Sequence, residues 1–182
     1  PGGCPCYIHF SKKTNSILVA CYETGNTILY PIAKDGALLP VLKELKHAGS
    51  SVNKLRQESA HAHAVITDES FNNILITDLG TDQVMVYHAD TVNKKLEVKL
   101  AQTVSMPPGS GPRHIILYAE TNHAYILNEL TGTVNMMRYC NGCLTTGFVC
   151  NTLPTDFKPI PGAAAIRISA NGKFIYTSER SD

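Results

Sequence analysis

No apolar run in this 182-residue chain reaches the length that spans a membrane. Its opening residues, PGGCPCYIHF, also lack the charged start and long apolar stretch of a secretion signal. A cytoplasmic protein without membrane contact is the expectation that follows. The chain does not open on methionine, and its first residues read as the interior of a longer sequence. Basic blocks are scarce too: the densest cationic run, Lys94 and Lys95 with Lys99, is short, and the formal net charge is +1. Nucleic acid is therefore not an expected partner. No GxSxG nucleophile motif occurs, and no cluster of metal ligands is visible, so neither a metal nor a cofactor is expected. Helical apolar spacing of three and four is nearly missing; the one helix candidate, around Val52 to Ser59, falls in a loop.

What remains is ordinary globular material, 43% apolar and 17% charged, enough for one domain with a sizeable core. Six cysteines fall into two groups, Cys4, Cys6 and Cys21 early, and Cys140, Cys143 and Cys150 more than a hundred residues later. Cys140 and Cys143 form a CxxC. The Asn141-Gly142 pair between them is what a two-residue hairpin turn demands, and that turn explains the spacing without a metal or redox site. Cys4-Pro5-Cys6 is too tight for a zinc knuckle.

The chain repeats itself. A short apolar strand, a turn and a second apolar strand ending in polar residues recur as CYIHF with SILVACY, HAHAVIT with NILITDLG, the stretch from Gly109 to Leu130, and AAAIRIS with KFIYTSER. Ile8, Val65, Ile115 and Ile166 occupy matching places, in steps of 57, 50 and 51 residues. A third strand follows in the first three units (TGNTILYPI, TDQVMVYHA, TGTVNMMRY), then a fourth around Leu38 to Leu45, Leu96 to Val104 and Leu144 to Val149. Four antiparallel strands in a period near fifty predict propeller blades. The fold class expected is all-β, a single partial propeller over 1–182. Its blades fall at about 5–50, 60–107 and 111–154, with an incomplete one at 162–182. Three and a half blades do not close a ring, so the open edges call for further blades of a longer chain or for a homo-oligomer.

Blade geometry brings the polar residues together. His61, His63, Arg113 and His114 open first strands, while Asp78, Asn128, Glu129, Glu179 and Arg180 close second strands, and in a propeller both ends meet at one mouth of the central channel. A Gly/Pro turn (Gly109 to Pro112) delivers Arg113 beside Glu129, its neighbour across an antiparallel hairpin. Bland alternatives stand beside this: Asp78 and Asn128 as turn caps, the histidines as packing within blades.

HAHAV, DLGTD, PPGSGPRH, the strand ending NEL, and IRIS followed by GKFIYTSER resemble the seven-bladed lactonase family. That family includes bacterial propeller-type 6-phosphogluconolactonases and fungal 3-carboxy-cis,cis-muconate lactonising enzymes. The resemblance implies a functional set of His63, Arg113, Glu129 and Arg180, and a chain covering about half of a family member. It implies lactone hydrolysis, with muconate lactonisation and a catalytically silent binding scaffold as alternatives, and a small anionic lactone as partner. Glu129 is then the expected base, held near its catalytic partner Arg113, His63 is a proton donor or second base near neutral pKa, and Arg113 with Arg180 is expected to hold the substrate's phosphate or carboxylate. Arg180, with His61, His114 and Asn128, is expected to bind substrate. Two departures stand out: Ala164-Ala165-Ile166-Arg167 has no acid before its isoleucine, and Glu179 puts a carboxylate next to Arg180.

Overall fold

β-Branched and aliphatic runs such as Ser16–Cys21 and Asn73–Asp78, bounded by turn residues, form strands because their side chains pack on pleated faces. The structure is a computed structural model that describes residues 2–93 and 95–181. Lys94, counted above in the basic run, lies outside the described residues. Among the described residues, fourteen strands make three four-stranded antiparallel meanders and one hairpin. β1 (Pro5–Ser11), β2 (Ser16–Cys21), β3 (Asn26–Pro31) and β4 (Lys43–Lys46) form the first sheet. β5 (Ala62–Thr67), β6 (Asn73–Asp78), β7 (Gln83–Val92) and β8 (Lys95–Ser105) form the second. β9 (Pro112–Tyr118), β10 (His123–Asn128), β11 (Thr133–Cys140) and β12 (Cys143–Asn151) form the third, and β13 (Ala163–Ile168) pairs with β14 (Ile175–Glu179).

The first strands line up side by side: β1 packs on β5, β5 on β9 and β9 on β13. Sheets fanning from a shared row of inner strands are propeller blades. Apolar cores lie between blades rather than within any one of them. Leu18, Leu29, Ile74 and Ile76 join the first and second; Leu75, Val86, Ile115 and Ile126 join the second and third; Leu127, Val134 and Ile166 join the third to the hairpin. The second blade is covered on both faces, so every residue of β6 is buried, whereas Ile8 and Phe10 on β1 and Phe174 and Tyr176 at β14 are exposed on faces that no blade of these residues covers.

Two sequence expectations change. The Val52 to Ser59 segment is no helix: Arg56 and Gln57 donate to the Asn53 carbonyl in a single turn, and the chain bends at Glu58 and Ser59 before entering the next strand. The fourth strand expected over Leu38 to Leu45 shrinks to Lys43–Lys46, because Pro40 has no N–H for the ladder; only an isolated bridge between Ile32 and Leu38 precedes it. The CxxC is a turn. Asn141 and Gly142 both have positive φ, Cys140 faces Cys143 across the hairpin, and all six cysteines are free thiols.

Asp78 is fully buried at the end of β6 and holds three neighbours: His47 Nδ1 at 2.8 Å, the His61 amide at 2.9 Å and the Thr81 amide at 3.1 Å. This staple ties the first blade's exit loop to the second blade. Asp78→Ala leaves two buried amides and a buried imidazole unpartnered, and should cost about 3–5 kcal/mol of stability. Urea unfolding measures it, and a loss below about 1 kcal/mol would show that the loop is held by other contacts.

Candidate active site

Each inner strand begins with a β-bulge. The pairing of β1 with β2 skips Cys6, that of β5 with β6 skips His63, that of β9 with β10 skips Arg113, and that of β13 with β14 skips Ala164. A bulge places an extra residue opposite one partner and re-aims it. These four positions recur at the blade repeat, and neighbouring blades capture three of their backbone carbonyls. Cys6 Sγ donates to the His63 carbonyl at 3.4 Å, Thr77 Oγ1 to the Arg113 carbonyl at 2.8 Å, and Arg113 Nη1 to the Ala164 carbonyl. The bulged residues thus form a row at one end of the inner strands.

Glu129, one residue beyond β10 and 2% exposed, is the hub of that end. Its amide is tied to the Gly111 carbonyl and its own carbonyl accepts from Ala163, so its backbone is fixed from two sides. Arg113 Nε donates to its Oε2 at 2.7 Å; Arg56 Nη2 and Arg180 Nη2 reach its Oε1 at 2.6 and 3.1 Å. His63 Nε2 lies 4.0 Å from Oε2, outside hydrogen-bond reach. His114 Nε2 accepts from Arg113 Nη1 at 3.3 Å, and its ring meets those of His63 and Tyr7 edge-on.

Burial pushes the Glu129 carboxyl up, but the hydrogen bond and charge of Arg56, with the charges of Arg180 and Arg113, outweigh it and hold it below the usual range. The carboxylate therefore stays ionised. Burial, reinforced by the Arg113 charge, lowers His63 to about 4 and His114 to about 3, so both imidazoles are neutral at neutral pH. Cys6, the bulge residue of the first blade, is pushed up to about 12 by burial, which removes it as a thiolate nucleophile.

The structure thus brings His63, Arg113, Glu129 and Arg180 into one cluster, with His114 against Arg113. It does not bring the other expected substrate contacts there. His61 stacks on Tyr22 and uses both ring nitrogens, on the Tyr22 carbonyl and the Glu58 carboxylate, because its side chain leaves β5 toward the first blade. Asn128 is fully buried and donates to Thr133 Oγ1 and Asn135 Oδ1 inside its own blade, as strand alternation requires of the residue before Glu129. Glu179 does not neutralise Arg180: its Oε1 accepts the amides of Gly162, Arg180 and Ser181 instead. The amides of Gly109 and Gly111 are taken by Asp82, with the Ser51 and Ser110 hydroxyls, so the Gly-rich turn carries a structural carboxylate rather than a ligand anion. Among the described residues no group of three or more His, Cys, Asp or Glu is placed to hold a metal ion.

Arg56 is the residue that sequence reasoning misses. It comes from the loop between the first two blades, and the only trace in the sequence is the longer first repeat, 57 residues against 50 and 51.

The chain matches the family model described as Lactonase, 7-bladed beta-propeller over residues 1–182. It is 28% identical over 181 residues to a 6-phosphogluconolactonase of Bacillus subtilis, covering 98% of this chain and 50% of that protein. The crystal structure of a putative 6-phosphogluconolactonase from Bacteroides fragilis superposes with a TM-score of 0.87 at 33% identity, covering 98% of this chain and 51% of that one. A periplasmic gluconolactonase of Pseudomonas aeruginosa gives a TM-score of 0.84 at 30% identity, with 97% and 50% coverage. The chain spans about half the length of the relatives it matches.

The two depressed histidines make stability pH-dependent. Their folded pKa values lie below the unfolded value of about 6.5, so unfolding takes up protons in the interval between. Stability from these sites is complete above about pH 6.5 and is lost as pH falls through about 4 for His63 and about 3 for His114. His63→Gln should flatten the stability profile between pH 6.5 and 4 in chemical denaturation; an unchanged slope would mean that His63 is not buried as a neutral ring.

Proposed function

From its place in the seven-bladed β-propeller lactonase family, to which the chain belongs over its whole length, we propose that the protein hydrolyses a sugar lactone bearing an anionic group. A phosphorylated gluconolactone is the substrate that fits best. The observation that carries the reading is the gathering of three guanidiniums on one buried carboxylate, beside two neutral imidazoles. The three relatives described above are named for gluconolactone chemistry, and muconate lactonisation finds no support among them.

Lactone opening needs a base for water, positive charge where the carbonyl oxygen becomes an oxyanion, and a proton for the departing ring oxygen. Glu129 is a poor base in this setting, since guanidiniums occupy both of its oxygens and hold it ionised. We assign the base to His63, whose Nε2 is left uncommitted 4.0 Å from the carboxylate. His63 is weakly basic in the unliganded site; a bound substrate anion would offset the neighbouring cations and raise its pKa toward the working range. Water then attacks the carbonyl carbon, losing a proton to His63. Arg113 faces the oxyanion, and collapse breaks the ring C–O bond, with His63 returning the proton to the alkoxide. Glu129 acts by holding the guanidiniums in place.

Hydrolysis of 6-phosphogluconolactone, followed by acid release, tests the reading. Arg113→Ala should lower kcat/KM by about 10²–10³-fold, the usual worth of one oxyanion donor, and His63→Ala by about 10²–10⁴-fold. Turnover unchanged in both variants would remove this cluster from the chemistry, and no turnover by the wild-type protein would favour a binding scaffold.

A further inference from the structure

The three guanidiniums on Glu129 lie at different depths. Arg113 is 15% exposed at its side chain, while Arg56 and Arg180 are 43% and 53% exposed. The two outer residues place one Nη2 each on the same oxygen, so the rest of their donor forks are not spent on Glu129. Three guanidiniums meet one carboxylate in the cluster and both imidazoles are neutral, so positive charge is in excess there even when the ionised Glu179, turned to backbone amides, is counted.

Arg56 is also held in place, although it sits on a loop. Gln57 beside it is fully buried: its Nε2 donates to the Leu79 carbonyl at 2.8 Å, and its Oε1 accepts the Asn53 amide at 3.1 Å. The Gln57 carbonyl takes the Ser51 amide at 2.9 Å and its amide reaches the Asn53 carbonyl at 2.7 Å. Four bonds thus pin the residue next to Arg56. Arg180 is fixed separately, by Nε donation to the Gly162 carbonyl at 3.1 Å. Two exposed guanidiniums, one from the loop between the first two blades and one following β14, both directed at one oxygen, form a fork wide enough in donors for an oxyanion with two charges.

We propose that Arg56 and Arg180 are an outer clamp for a dianionic group of the phosphate-monoester class, and that Arg56 sets the preference for phosphorylated over unphosphorylated sugar acids and lactones. The lactone part rests on the hydrolase reading above; the anion site does not. Arg113 lies deeper, at the reacting carbonyl, and the clamp keeps the substrate's charged end at the rim.

Calorimetric binding of 6-phosphogluconate and of gluconate tests the clamp without turnover. The wild-type protein should prefer the phosphorylated acid, and Arg56→Ala should weaken that acid by about 10- to 100-fold, the worth of a charged hydrogen bond, while gluconate changes by less than about twofold. Arg56→Gln, which keeps a donor but no charge, should lose most of the same preference and guards against a folding defect in the alanine variant. Equal affinity of the wild type for the two acids, or equal weakening of both in the Arg56 variants, would overturn the proposal. A phosphate preference that depends on Arg56 in a protein that opens neither lactone would uphold the clamp and reject the hydrolase reading. Turnover of both lactones with no such preference would do the reverse.

Discussion

A carboxylate almost sealed from water stays charged only where cations or hydrogen-bond donors replace its lost hydration, and Glu129 draws guanidiniums from three residues. Much of the site's architecture follows from this. The cations arrive from three separate segments: the loop after the first blade, the bulge that opens β9, and the residue following β14. None of these segments contacts the others by chain continuity, so the carboxylate is what registers them. The blades supply the precision, since interblade cores of Leu, Ile and Val fix the inner strands against one another.

Much of this could be read from the residues. Short apolar runs separated by turn residues mark the strands, and the repeat of matching isoleucine and valine positions marks the blades. Arg113 and Glu129 were placeable because both lie on one hairpin, where antiparallel register alone decides who meets whom. Arg56 was not. Its position depends on the burial of Gln57 against Leu79, a tertiary contact with no local periodicity. The partners of Glu179 are hidden for a related reason: a carboxylate at a strand end can turn to a side chain or to nearby amides, and only the completed turn around Gly162 shows that three amides are within reach.

The fate of Asp78 and Asp82 illustrates how the same residue type divides its work. Both belong to DLGTD and both are buried, yet each is consumed by loop amides, hydroxyls or an imidazole. No cationic side chain of lysine or arginine contacts either among the described residues, whereas Glu129 is surrounded by them. A buried acid fed by backbone donors acts as a fastener. One fed by guanidiniums gathers charge that a ligand can use.

The bulge at the head of every inner strand carries a wider meaning. One backbone device, repeated four times, holds a thiol, an imidazole, a guanidinium and a methyl group at equivalent stations. The ladder resumes normal pairing beyond each station, yet the occupants also join the ring, since the side chains of Cys6 and Arg113 each grip the bulge carbonyl of the next blade. Aiming a reagent and clasping the neighbouring blade are thus one and the same act of the backbone, and at Ala164, where the side chain is only a methyl, the clasp alone remains.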